Sequence, residues 1–215
     1  MAIITLSREM GSGSSQIIQM IRNTLNYKVV DKSVIEDVLD QYGLIAFDEV
    51  YRSTHSIWSR FDTETTELIQ QLNRTILAFA AHDQTLIVGR GGFVVLRDYE
   101  NVLNVLIRAP FEWRVNHAVE MERIENEQDA EQIIRQNDRV RENFLQTFYQ
   151  VTPDCPRHFN LIIDTSRIPM HMAANWIIEA ARDLDRREVP TERHTSSIEV
   201  DPVLAQTVSD MLAKL

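Results

Sequence analysis

Apolar residues follow two rhythms along the chain. Short stretches rich in β-branched and other apolar side chains occur at Ile3-Ile4-Thr5-Leu6, Tyr27-Lys28-Val29-Val30, Gln84-Thr85-Leu86-Ile87-Val88, Asn101 to Ala109 and Phe159 to Ser166. The first, third and fourth of these suit strands buried on both faces, as in a parallel sheet, and the second and last read as short strands. Between them, apolar residues recur at helical spacing: Ile17, Ile18, Met20, Ile21 and Leu25; the stretch from Asp31 to Leu39; Leu68, Leu72, Ile76 and Phe79 within Thr65 to Ala81; Glu112 to Met121; and Met170 to Leu184. Strands alternating with helices predict an α/β fold, a doubly wound, mostly parallel sheet with helices on both faces.

Four stretches depart from this alternation. Gly43 to Thr63 has no clean period and mixes Tyr51, Trp58 and Phe61 with Arg52, His55 and Arg60. It is either a site that stacks on a base and binds its phosphate, or a packed helix–loop segment. Glu125 to Gln150 is strongly polar; Arg135 and Arg139 share a helical face, and Asp138 and Arg141 are three residues apart. That pattern is either a solvated face with internal ion pairs or an arginine-rich lid over polyphosphate. Asp185 to Ser197, with Pro190, reads as a linker. Val203 to Leu215 reads as a short helix with Leu204, Val208, Met211 and Leu212 on one side. So short a helix is marginal alone in water, so it docks either on its own domain or on another copy in a homo-oligomer. The expected organisation is a domain over 1–184, a linker over 185–197 and a helical extension over 198–215.

Composition narrows the function classes. The 215 residues are 44% hydrophobic and 25% charged, ordinary for a globular protein. A formal net charge of -10 argues against non-specific nucleic-acid or anionic-membrane binding, while leaving room for a local basic pocket. Only Lys28, Lys32 and Lys214 among the 22 basic residues are lysines; the rest are arginines, which suit bidentate phosphate recognition. Cys155, the sole cysteine, excludes an internal disulfide and a multi-cysteine zinc site. His117 has no partner at metal-ligand spacing, which favours a packed or surface role. With no signal-peptide pattern and no apolar run long enough to cross a bilayer, the expected location is cytoplasmic.

Candidate chemistry gathers where strands end. After the first run comes Ser7-Arg8-Glu9-Met10-Gly11-Ser12-Gly13-Ser14-Ser15, and then a helix. A glycine turn before a helix lets phosphate approach unpaired backbone N–H groups at the positive end of the helix dipole. Gly11 and Gly13 suit positive φ, and Ser14 or Ser15 is a candidate cap. Against G-x-x-x-x-G-K-[ST], Arg8 stands at the first glycine, Ser14 replaces the lysine, and Ser15 holds the magnesium position. Asp31 reads both as a helix cap and as an acceptor-binding group at a strand's carboxyl end. Gly89-Arg90-Gly91-Gly92 repeats the strand-to-glycine logic, with a guanidinium placed for phosphate.

Taken together, Ile4 to Gly13, Asp31-Lys32, Val88 to Gly92, Ala109-Pro110-Phe111-Glu112-Trp113-Arg114, Arg135 with Asp138, Arg139 and Arg141, and Asp164-Thr165-Ser166 resemble the cytidylate-kinase-like branch of the P-loop nucleoside monophosphate kinases, over residues 2 to 184. The resemblance implies a P-loop-type sheet with a helical arginine-rich lid. It implies ATP with Mg²⁺ as donor on Gly11, Ser12, Gly13, Ser14 and Ser15, with Ser15 on the metal. It further implies a small acceptor such as a nucleoside monophosphate near Asp31 and Arg90; Lys32, Arg60, Arg114 and Arg141 are further candidates for binding it. Related kinases carry the loop lysine that Ser14 replaces here. Two classes stay open: a kinase in which Arg8, Arg90, Arg135 and Arg139 supply the missing charge, and a catalytically weak binding or scaffold protein that keeps the fold.

Overall fold

In the computed structural model, which describes residues 1–41, 63–121 and 124–215, the five runs read as strands form the strands. These are β1 (Ile3–Arg8), β2 (Lys28–Val30), β3 (Thr85–Val88), β4 (Val102–Arg108) and β5 (Leu161–Asp164). They make one sheet in the order β2-β3-β1-β4-β5, and every pairing is parallel. Thr5 at the centre of β1 lies opposite Ile87 on one side and Asn104 on the other. Its buried hydroxyl donates to Asn104 Oδ1 at 2.5 Å, so this polar pair inside the sheet is satisfied. Because all five strands run the same way, the turns that follow them meet at one edge.

The helices are α1 (Ser14–Leu25), α2 (Lys32–Gln41), α3 (Thr63–Ala80), the single turn α4 (Gly92–Val95), α5 (Phe111–Met121), α6 (Glu127–Tyr149), α7 (Met170–Leu184) and α8 (Pro202–Leu212). Alternate side chains of a strand point to opposite faces. Ile4, Leu6, Val105 and Ile107 therefore pack with α1 and α7, whereas Ile3, Ile87 and Val102 pack with α2, α3 and α8. A third cluster, Val115 and Ala118 with Ala130 and Ile134, joins α5 to α6. The aromatic and arginine stretch from Gly43 to Phe61, with Arg60, lies outside the described residues.

The end of the chain departs from the expected linker. Thr195 is 1% exposed and exchanges two hydrogen bonds with Asn101: its N–H donates to Oδ1 at 2.9 Å and its Oγ1 accepts from Nδ2 at 2.8 Å. Arg193 pairs with Glu100 at 2.5 Å, so the segment after α7 is fastened to the domain. Asp201 caps α8 by accepting from the N–H groups of Val203 and Leu204. Leu204, Val208, Met211 and Leu212 are buried in the same core as α2 and α3. The helix that cannot stand alone thus docks on its own domain. Among the described residues, no helix is long and apolar enough to cross a membrane.

Candidate functional site

The turn between β1 and α1 is built on two glycines. Gly11 and Gly13 have φ of 80° and 72°, in the left-handed region that other residues enter at a cost. A Cβ on Gly11 would lie 2.7 Å from the backbone oxygen of Arg114, and one on Gly13 would run into the end of Met170. Gly13 is the N-cap of α1 and no side chain caps this end, so Ser14 and Ser15 begin the helix without closing it. Gln16 N already donates to Gly13 O at 3.2 Å, so it is the N–H groups just ahead of it, at the positive end of the helix, that can meet an anion.

Behind the loop, its carbonyls are held. Glu9 O accepts from Ser12 Oγ at 2.7 Å. Met10 O accepts from Arg114 Nη1 at 3.2 Å, and Ser12 O accepts from the buried Thr165 Oγ1 at 2.8 Å. Arg114 is 5% exposed; it also donates from Nε to Ala109 O at 3.1 Å and grips both carboxylate oxygens of Asp138 at 3.1 and 2.8 Å. The Glu9 carboxylate lies 3.6 Å from Arg114 Nε and accepts from Ala109 N at 3.0 Å. Burial pushes the Glu9 carboxyl above its ordinary pKa, against the lowering pull of that N–H and of Arg114 and Arg141.

Arg8, Glu9, Gly11, Ser14, Arg90 and Arg141 line a cleft of about 340 Å³ over this loop. An adjoining cavity of about 400 Å³ is walled by Arg8, Lys32, Arg90 and Asn137. Arg8 and Arg90 therefore border both spaces. Arg90 has φ of 52°, and its Nη2 donates to Glu36 Oε1 at 2.8 Å, while Lys32 lies 3.7 Å from the same oxygen. Asp31 Oδ1 accepts from Ser33 N and Oγ at 2.9 and 2.7 Å, the capping role, at the carboxyl end of β2. Arg141 faces the cleft from α6, with Nη2 2.6 Å from Asp154 Oδ1.

Arg135 and Arg139, expected over the phosphate, are exposed and outside both cavity walls. Arg135 lies 4.1 Å over the Phe111 ring and pairs with Glu131. The inward face of α6 instead carries Asn137, Asp138 and Arg141. Arg114, expected at the acceptor, lies beneath the loop with its fork on Asp138. His117 stacks on Trp113 at 4.7 Å, the packed role. Among the described residues, no group of three or more His, Cys, Asp or Glu is placed to hold a metal ion.

The sequence profile of the cytidylate kinase-like family matches residues 3–167, from the first strand through the turn after β5. The chain belongs to the cytidylate kinase-like family. No curated protein matches it. Among solved structures, an uncharacterized protein from Eubacterium ventriosum is 18% identical, with 87% of this chain and 100% of that one covered and a TM-score of 0.67. That likeness concerns the fold. A shikimate kinase from Acinetobacter baumannii in complex with shikimate is 14% identical over 87% of this chain and 96% of that one, at a TM-score of 0.46. TT1252 from Thermus thermophilus is 13% identical over 84% and 97%, at 0.48.

In this cytidylate kinase-like chain, sequence reasoning had missed the parts that act at a distance. Glu36 is one turn beyond Lys32 on α2, a signal readable as an i, i+4 pair, but its hold on Arg90 crosses 54 residues. Thr165 was visible within Asp164-Thr165-Ser166, though nothing in sequence tied its hydroxyl to Ser12, 153 residues away.

Proposed function

We propose that the protein is a nucleotide-dependent phosphotransferase that moves a phosphoryl group from ATP to a small acceptor such as a nucleoside monophosphate. The observation that carries this reading is one cleft in which an uncapped helix N-terminus on a glycine loop faces Arg8, Arg90 and Arg141. Phosphoryl transfer asks mainly for positioning and for positive charge on the transferring group. The loop N–H groups bind the donor phosphates, and Gly11 to Ser15 form the cradle. Ser14 brings no charge where related kinases have lysine. Arg8, shared by both cavities, stands between donor and acceptor, and Arg90 meets it from the acceptor side. Arg141, on the face of α6 that lines the cleft, takes the part expected of Arg135 and Arg139.

Magnesium fits this site in a limited way. Ser15 lines the cleft and offers one hydroxyl, consistent with an ion that takes few protein ligands and keeps phosphate oxygens and water. When bound, the ion supplies charge neutralisation between the donor phosphates. On the acceptor side, Asp31 and Lys32 orient the small molecule at the end of β2. A coupled assay with ATP, Mg²⁺ and a panel of nucleoside monophosphates tests the reading. Turnover with at least one acceptor supports it. Nucleotide binding with no turnover across the panel would instead favour the scaffold reading.

A further inference from the structure

We propose that Thr165 and the Arg114–Asp138 pair are positioning residues that orient the phosphate cradle and tie it to α6. The proposal rests on the phosphate-binding reading above and assigns what holds that loop in place of a lysine-centred motif.

In a planar trans peptide the C=O of one residue and the N–H of the next point in opposite directions. The single proton of Thr165 Oγ1 has two carbonyls in reach, Ser12 O at 2.8 Å and Arg108 O at 3.2 Å; directed to the nearer, it draws the Ser12 carbonyl toward β5 and turns the N–H of Gly13 the other way. Arg114 Nη1 draws the Met10 carbonyl toward α5 at 3.2 Å, which turns the N–H of Gly11 likewise. Ser12 is wholly buried, and Thr165 is 6% exposed, so the hydrogen bond between them does not compete freely with water. Gly11 and Gly13, at positive φ, are the residues whose peptides rotate most readily, so these two external holds fall where they are needed.

The second hold reaches further. Arg114 presents a fork to Asp138 at 3.1 and 2.8 Å, a bidentate arrangement that fixes the plane of the guanidinium. Asp138 sits on α6 three residues before Arg141, within one turn of the same helix. One guanidinium thus links the Met10 carbonyl to the helix that carries the cleft-facing Arg141. Loss of the fork frees both the loop peptide and the register of α6 over it.

The test uses the full chain and inorganic tripolyphosphate as probe, by calorimetric titration, with thermal melts confirming that each variant is folded at the titration temperature. Thr165→Val keeps shape and loses the donor; Thr165→Ser keeps the donor. Asp138→Asn keeps shape and loses the charge. The expected result is about tenfold weaker binding for Thr165→Val and for Asp138→Asn, with Thr165→Ser within about twofold of the parent, a loss typical of one hydrogen bond to a charged system. A purely structural role would lower the melting temperature and leave the affinity of the folded protein unchanged. Parent-like affinity in Thr165→Val and Asp138→Asn, or a Thr165→Ser as weak as Thr165→Val, overturns the positioning proposal while leaving the phosphate site standing. A parent that binds no tripolyphosphate removes the site and this proposal together.

Discussion

Arg90 occupies a backbone conformation that arginine seldom enters, φ 52°, between two glycines that adopt it freely. A non-glycine residue there costs on the order of 1 kcal/mol, and the surroundings hold it because the side chain is buried and bound to Glu36. Strain of this kind clusters at functional sites, which supports the clamp role proposed for Arg90. Arg90→Ala is expected to lower phosphoryl transfer by about two or more orders of magnitude, as loss of a cationic clamp can do. Arg90→Lys should restore little, because a point charge cannot reproduce the fork. Steady-state kinetics on both variants decide this, and an Arg90→Ala enzyme that matches the parent overturns the role. Glu9 gives a pH test. Its folded pKa is raised, so the folded state binds protons more readily than the unfolded chain, and stability falls as pH rises from the ordinary carboxylate value through the raised one. Glu9→Gln removes that dependence and can still accept from Ala109 N–H. The variant's melting temperature should therefore gain on the parent's as pH rises from the ordinary carboxylate range upward; a constant difference would show that the fold does not favour the neutral form of Glu9.

At the level of elements, α6 and α8 each resolve an ambiguity through the surface they meet. The polar stretch that forms α6 is docked through its apolar positions, while its Asn137, Asp138 and Arg141 line the cleft. Ala130, Ile134, Phe144 and Leu145 are buried, and Tyr149 sits against Gly91, where a Cβ would lie 2.7 Å from its ring, with its hydroxyl on Asn73 at 2.7 Å. A helix fastened at both ends presents Arg141 at a set place. For α8, removal of a buried leucine separates docking from decoration. Leu204→Ala should cost about 2–3 kcal/mol in urea unfolding, the lower part of the range for a core leucine. A loss under about 0.5 kcal/mol, the level of an ordinary surface change, would mean that α8 does not cover the α2–α3 face in solution.

For the whole molecule, two charge effects oppose each other. The net charge of -10 repels a polyanion at long range, while Arg8, Arg90 and Arg141 attract it at contact. At 0.1 M salt the Debye length is about 10 Å, so the distant acidic surface is largely screened and contact terms win. Tripolyphosphate affinity should therefore weaken as salt rises from about 0.1 to 0.5 M, where further screening reaches mainly the cleft's own cations. Affinity that rises over that range would show the acidic surface to be in control.

The sequence by itself determined the strands, the main helices and the edge at which the proposed site gathers. Each depends on short-range patterning: β-branched runs at β1, β3 and β4, helical spacing in α1 and α7, and glycines where the chain must turn at positive φ. It also marked Gly11 to Ser15, Arg8 and Arg90 as one candidate site, and the structure brings all but Ser12 and Gly13 of these to the cleft wall. Tertiary structure alone decided which side chains face that cleft and which hold it. Asp138 and Arg141 point inward and Arg135 and Arg139 outward because α6 packs through Ala130 and Ile134, which fixes its rotation; spacing along a helix sets who shares a face, and only a packing partner sets which way the face looks. Arg114 beneath the loop, Thr165 on Ser12 and α8 on its own domain all join residues far apart in sequence, and no local period encodes such a pairing.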